Sequence, residues 1–151
     1  MVKKIKLMFG KPIHGWLPFN IYCNNILTME VRCSGVFNPF QDYVDFIEKI
    51  SKRNGKFEFI IEQEGIIGKI KVVNKNKVLI MTTETLSNRF LLRKRVSIIN
   101  RKQFINELSS KLIKAYLENK KEMKNEFYDF SFDVKKLKNI LRKNLNYEAK
   151  I

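Results

Sequence analysis

Residues 57–83, FEFIIEQEGIIGKIKVVNKNKVLIMTT, contain three apolar runs separated by short polar turns. The first run repeats apolar residues with a period of two, and aliphatic residues, many of them β-branched, dominate the other two at 66–73 and 78–83. Such runs are typical of β-strands, because successive side chains of a strand point to opposite faces of the sheet. The stretch therefore predicts a three-stranded antiparallel meander.

Three further strands are predicted upstream, at 5–9, 19–22 and 26–34, where apolar and polar residues again alternate. The Asn-Asn pair between the last two marks a hairpin. A loop of two asparagines would place Tyr22 on the face of Leu27, whereas a three-residue loop that begins at Cys23 sets Ile21 against Leu27. We expect the three-residue loop because it keeps the core face apolar.

Three segments have the spacing of helices. An Asn-Pro pair at 38–39 and an Asn-Gly pair at 54–55 bound a central helix. Asn100 caps a second helix over about 101–119, and a third covers about 133–144. The predicted buried stripe of the central helix consists of Phe40, Tyr43, Val44, Ile47 and Ile50.

This order of strands and helices predicts an α+β fold. We expect one antiparallel sheet of about five to six strands, with the central helix and two C-terminal helices packed on one face. Residues 1–126 are expected to form a single α+β domain. Residues 127–151, an aromatic segment and the C-terminal helix, are expected to dock on the same domain.

The composition of the 151 residues limits the class of protein. With 44% apolar residues, the chain can bury a core without disulfides or metal. Only Cys23 and Cys33 are present, which suits a reducing compartment, and we expect a cytoplasmic protein. No apolar run approaches the ~18 residues that a membrane span requires, so we expect no membrane insertion.

The positive charge has two components. There are 30 Lys and Arg against 15 Asp and Glu, a net charge of +15, and 23 of the 30 are Lys. Abundant Lys, Asn and Ile are what an AT-rich coding sequence produces, so part of this charge carries no functional information. Four of the seven Arg, however, fall within residues 86–102, a stretch without acidic residues. We therefore treat the local Arg cluster as the informative component.

The basic cluster is the predicted site for a partner or for phosphate. Guanidinium groups bind carboxylate or phosphate through two parallel hydrogen bonds. The cluster also places cations at a predicted helix start, where a bound anion would be favourable. Trp16 and Phe90 are candidate interface anchors, and a solvated basic strand and turn is the alternative interpretation. The predicted binding residues are Arg89, Arg93, Lys94, Arg95, Arg101 and Lys102.

We predict no catalytic residues, no cofactor and no metal. His14 is the only histidine, and no nucleophile motif or metal-ligand spacing surrounds it or the cysteines. Glu62 and Glu64, followed by Lys69 and Lys71, have the composition of a metal-dependent nuclease site. Cross-strand ion pairs on a solvent-exposed sheet face explain the same residues, so an enzyme is the less favoured class.

Two functions remain. The first is a non-enzymatic cytosolic binding protein, a basic accessory or immunity-type protein that docks an acidic protein partner. In outline the chain resembles the broad class of small bacterial immunity proteins, without a motif that identifies a family. The second is a nucleic-acid-binding protein that uses the Arg cluster at 89–102 on phosphates, largely independently of sequence.

Overall fold

In a computed structural model, the chain forms two antiparallel sheets with helices packed against them. The structure describes residues 1–34, 39–126 and 133–149. The first sheet contains β1 (Ile5–Phe9), β2 (Trp16–Cys23) and β3 (Ile26–Ser34) in that order. The second contains β4 (Gly55–Gln63), β5 (Ile66–Lys75), β6 (Val78–Ser87) and β7 (Phe90–Asn100). The helices are α1 (Pro39–Lys52), α2 (Arg101–Glu118), α3 (Lys120–Glu126) and α4 (Val134–Ala149).

The α+β class is confirmed, but the single sheet of five to six strands is wrong. The predicted meander forms β4, β5 and β6, and β7 extends it to four strands. The first sheet does not join it through a strand ladder, because β3 lies against its face. Gly68 of β5 permits this approach: a Cβ there would lie 2.6 Å from Met29 Cε and 2.7 Å from Val31 Cγ1.

Polar contacts also link the free edge of β3 to the second sheet. The Arg32 backbone N–H donates to Gln63 Oε1 over 2.8 Å, and the Thr83 hydroxyl donates to the Thr28 carbonyl over 3.4 Å. These bonds satisfy main-chain groups of an edge strand that would otherwise need water. Side chains of the second sheet thus stand in for a neighbouring strand.

The predicted three-residue loop between β2 and β3 is also wrong. Cys23 pairs with Ile26, so the loop contains only Asn24 and Asn25, which adopt positive φ values of 51° and 64°. Two such residues form the turn that matches strand twist best. Thr28 is an extra residue that has no partner on β2, and this bulge restores an apolar core face.

The helices supply the other side of the core. Helix α1 begins at Pro39 as predicted, and all five residues of its predicted stripe are fully buried. Asn100 caps α2, since its Oδ1 accepts from the backbone N–H of Gln103 over 2.9 Å. None of the helices in the described part of the chain is long and apolar enough to cross a membrane.

Helix α4 packs against α1 and α2. Leu137 and Ile140 are buried there, and Lys136 Nζ lies 2.8 Å from Glu48 Oε2 on α1. This ion pair holds the pKa of Glu48 down to about 2, through hydrogen bonds from Lys136 and then from Lys52. The aromatic segment at 127–132, predicted to pack on the domain, lies outside the described residues.

Candidate interface on the β7 arm

Strand β7 is an edge of the second sheet, and its first seven residues are exposed on both faces. We call these residues, Phe90–Val96, the β7 arm. The exposed fractions of Phe90, Leu92 and Val96 are 75%, 62% and 55%. Large apolar side chains at such exposure are informative when they are contiguous, because contiguous patches mark interaction surfaces.

The exposure of β7 on both faces ends after Val96, where other elements cover the strand. Ser97 and Ile99 are buried, and the backbone N–H of Lys3 donates to the carbonyl of Ile98 over 2.7 Å. Side chains alternate along a strand, so the face of Ser97 and Ile99 continues into the arm as the inner face. The opposite, outer face carries Lys94, Val96 and Ile98, and this alternation holds from Arg93 onward because the ladder with β6 shifts register at Leu92.

Two of the predicted cations lie on the inner face of the arm. Arg93 is opposite Thr85 and Arg95 is opposite Thr83 in the ladder with β6. Arg89 lies next to the arm in the two-residue turn before it, with φ of 73°. Within the described residues, no Asp or Glu oxygen lies within 4.0 Å of any of these three guanidinium groups.

Lys94 lies on the outer face and, unlike these three arginines, lies near a carboxylate of the described residues. Its Nζ is 3.9 Å from Glu84 Oε1, and the other oxygen of Glu84 is 3.3 Å from Lys71 Nζ. One carboxylate therefore serves two lysines. Lys94 is more than half exposed, so this pairing adds little stability.

A groove runs beside the arm between β3 and the inner face of the second sheet. Its volume is about 390 Å³, and it is open to solvent. Arg93 and Leu92 line it from β7, whereas Glu30 and Arg32 line it from β3. Leu92 is the extra residue of a bulge opposite β6, and bulges commonly re-aim side chains next to binding sites.

Arg101 and Lys102 do not join this surface. Eight residues of extended strand separate Arg101 from Arg93, a span of about 26 Å. Arg101 Nε donates to the Ile50 carbonyl over 2.7 Å, and Nη1 donates to the Asn76 carbonyl over 3.0 Å. Burial lowers the pKa of Arg101.

These contacts explain Arg101 at the start of α2 without a bound anion. The Ile50 carbonyl lies in the last turn of α1, where unsatisfied carbonyls carry partial negative charge. Arg101 thus caps the C-terminus of one helix from the N-terminus of another. Lys102 is half-buried on the first turn of α2.

The two candidate interface anchors, Trp16 and Phe90, lie in different sheets. Phe90 begins the arm, whereas Trp16 begins β2 in the other sheet, opposite Ser34. Trp16 is half-buried and closes a tight turn in which its backbone N–H and carbonyl bond those of Ile13 over 3.0 and 2.9 Å. His14 is exposed within that turn.

The residues considered for catalysis do not assemble. Strand β4 ends at Gln63, so Glu64 lies in the turn and shares no strand face with Glu62. Lys69 contacts Glu58 over 4.0 Å instead. No group of three or more His, Cys, Asp and Glu able to hold a metal occurs among the described residues.

Cys33 is the more deeply buried thiol. Its Sγ lies 3.3 Å from Tyr43 Oη, and burial raises the pKa of Cys33 to about 12 despite that hydrogen bond. Cys33 therefore remains a protonated thiol at neutral pH, and it packs as a core residue. Burial likewise raises the pKa of Tyr43 well above its ordinary value.

The sequence offered a basic strand only as the alternative interpretation, and the exposure of the apolar residues beside the cations was missed. The signal was present: the run from Phe90 to Leu92 and the run from Val96 to Ile99 flank the cations. Exposure was not predictable, because the same pattern is typical of a buried strand. Arg32 was missed because its approach to Arg93 depends on how the two sheets pack.

The β7 arm therefore combines three kinds of binding group. It offers guanidinium groups without a carboxylate partner among the described residues, exposed apolar side chains and a strand edge that no described strand covers beyond Lys3. Guanidinium groups hold carboxylates or phosphates, and the apolar side chains favour a partner that is itself partly apolar. No protein-family model, no curated protein and no solved structure matches the chain.

Proposed function

We propose that this chain is a non-enzymatic cytosolic binding protein, of accessory or immunity type, that docks an acidic protein partner on the β7 arm. The observation that carries the proposal is the exposure of all seven arm residues on both faces. Isolated exposed apolar residues are ordinary, but a contiguous set beside arginines that pair with no carboxylate in the described part of the chain is a costly surface for a free monomer. Burial against a partner removes that cost.

The chemistry of the arm favours an acidic protein over a simple polyanion. Aromatic residues and Arg are enriched in protein interfaces, and they contribute most where water is excluded. Phe90, Leu91 and Leu92 lie directly before the cations and need an apolar counterpart. The net charge of +15 steers an acidic partner toward the surface and raises its association rate.

Nucleic-acid binding is the second candidate, and one observation favours it. Phe90 is 75% exposed beside Arg89 at the tip of the β6–β7 hairpin. An exposed aromatic ring next to guanidinium groups can stack a base while the cations hold phosphates. Such binding would be independent of sequence and strongly dependent on salt.

The test compares two fluorescent probes by anisotropy at several salt concentrations. The first is a 24-residue peptide of Glu, Asp and Leu, and the second is a mixed-sequence 20-nucleotide single strand. The variant is Arg93→Gln/Arg95→Gln. The matched control is Lys121→Gln/Lys124→Gln, which removes the same charge from two exposed residues of α3.

We expect the Arg variant to bind the acidic peptide about tenfold more weakly, because two charge-assisted contacts are lost. The α3 control should stay within about twofold of the parent protein. Equal losses in both variants would refute a specific surface. Tighter, Arg-dependent binding of the oligonucleotide at physiological salt would favour nucleic acid instead.

A further inference from the structure

We propose that the β7 arm binds its partner by strand addition, with an extended acidic segment of the partner pairing antiparallel to β7 as a fifth strand of the second sheet. This inference rests on the proposed function and specifies how the partner is held. It also specifies a pattern in the partner: carboxylates on alternate residues, separated by apolar residues.

The backbone of β7 provides the open edge. In an antiparallel ladder, residues alternate between those that bond the neighbouring strand and those that point away from it. The Arg101 N–H donates to Lys77 on the β6 side over 2.9 Å, so from Arg93 onward the residues of odd number point toward β6. The Ile98 carbonyl instead accepts from Lys3, so residues of even number point away.

Lys94 and Val96 have the same parity as Ile98, and their N–H and carbonyl groups therefore point to the edge of β7 that no strand among residues 1–34, 39–126 and 133–149 pairs with there. Lys3 covers the edge only at Ile98 and Ile99. At Lys94, the Arg95 side chain reaches the outward carbonyl over 3.2 Å, which agrees with this direction. That exposed side chain must move for the Lys94 carbonyl to accept from a new strand, and an edge row of donors and acceptors is a template for one.

The side chains on the two faces decide what that strand must carry. Residues opposite Arg93 and Arg95 would lie on the inner face, where carboxylates meet two guanidinium groups. The residue opposite Val96 would lie on the outer face beside Val96 and Ile98, which are 55% and 38% exposed. Directly opposite residues interact most strongly, so acidic and apolar residues must alternate.

Charge separates this occupant from a second copy of the chain. Antiparallel pairing of two β7 arms would bring Arg93, Lys94 and Arg95 of one copy opposite or diagonal to those of the other. Like charges in such positions are destabilising, and each copy carries a net charge of +15. An acidic strand reverses the sign of every one of these contacts. Antiparallel pairing also continues the arrangement of the whole sheet and gives the more stable ladder.

The test uses an eight-residue capped peptide of alternating valine and glutamate, with a fluorophore at one end. In antiparallel pairing, the residues opposite Lys94 and Val96 are the valines, and their N–H groups face β7. N-methylation of the valines removes those donors and leaves every charge in place. N-methylation of the glutamates is the matched control, because their N–H groups face away from β7.

We expect valine methylation to weaken binding by about tenfold or more, and glutamate methylation to stay within about threefold. On the protein, Val96→Pro removes one outward N–H without touching the ladder to β6, and Val96→Thr keeps it. The proline variant should bind at least about fivefold more weakly than the threonine variant. Circular dichroism and thermal melting of both variants establish that they are folded.

Several outcomes would overturn strand addition. If both methylated peptides bind as tightly as the unmethylated peptide, the partner does not pair with the edge of β7. If glutamate methylation weakens binding and valine methylation does not, the antiparallel arrangement is refuted. A concentration-dependent dimer that Val96→Pro abolishes, measured by light scattering, would assign the edge to a second copy. If the methylation and proline tests refute strand addition while the 24-residue acidic peptide still binds through Arg93 and Arg95, the proposed function is retained. If the 24-residue peptide does not bind either, both the proposed function and strand addition are refuted.

Discussion

Gly68→Ala tests the contact that brings the two sheets together. The added Cβ would lie 2.7 Å from Val31 Cγ1 and must retreat by about 0.7 Å to reach the 3.4 Å of an ordinary contact. Met29 Cε, at 2.6 Å, is the end of a flexible side chain and can swing aside. Val31 is β-branched and held on β3, so relief there requires movement of the strand.

The expected cost follows from two opposing effects. Overpacking of a core by one methyl group costs about 1–3 kcal/mol. Replacing Gly by Ala restricts the unfolded chain and returns about 0.4–1 kcal/mol. The net destabilisation of Gly68→Ala is therefore about 1–2 kcal/mol, which lowers Tm by about 2–8 °C for a chain of this size.

A double-mutant cycle with Val31→Ala makes the test specific. Val31 is 2% exposed, and its truncation alone should cost about 1.5–3 kcal/mol. In the double variant the new Cβ occupies space left by Val31, so the combined loss should fall short of the sum by about 1 kcal/mol. The control pair is Gly68→Ala with Leu137→Ala on α4, which packs on α1 and α2 and should be additive.

The assay is urea unfolding of the four proteins of each cycle at 25 °C, with free energies from linear extrapolation. If the Gly68 and Val31 losses simply add, the close approach of β3 to β5 is not what requires glycine. A Gly68→Ala protein as stable as the parent would contradict the packing of the sheets outright.

Two further predictions concern charged groups. Arg101→Met removes hydrogen bonds to the Ile50 carbonyl and to a second main-chain carbonyl. The variant should be less stable by about 1–3 kcal/mol in urea unfolding, while peptide binding at the β7 arm stays unchanged. A loss of binding without a loss of stability would contradict the capping role of Arg101. The folded-state pKa of Glu48, about 2, lies below its unfolded value of about 4.3, so its stabilisation is complete above about pH 5 and is lost as pH falls toward 2. Glu48→Gln should cost under about 1 kcal/mol at pH 7, since its partner Lys52 is exposed and Lys136 is partly exposed. The substitution should also flatten the decline of the urea midpoint between about pH 5 and 2.5. An unchanged decline would mean that other carboxyl groups cause it.

Local signals determined the parts of the fold that sequence inspection predicted. Helix α1 begins at Pro39 and buries its predicted stripe, because capping residues and helical periodicity act within a few residues of one another. The N-cap of α2 at Asn100 was predictable for the same reason. The three strands of the meander follow from alternation and turn residues, which are equally local.

The errors arose where distant parts of the chain interact. The hairpin before α1 has a loop of two asparagines, and Thr28 forms a bulge on β3. The second sheet contributes to this arrangement, since the Thr28 carbonyl accepts a hydrogen bond from the Thr83 hydroxyl. Alternation alone does not reveal a bulge, because one extra residue reverses the faces after it. Division into two sheets likewise depends on a close approach at Gly68.

For the candidate site, too, some features were predictable from the sequence and others depended on the tertiary structure. The sequence by itself determined that arginines gather before α2, next to Phe90, because residue identity and spacing need no fold. Only the tertiary structure decided that Arg101 is bound to the end of α1, while Arg93 and Arg95 are exposed and contact no carboxylate of the described ranges. The physical reason is that the function of a guanidinium depends on what lies within hydrogen-bonding reach, and chain folding, rather than position in sequence, sets those neighbours.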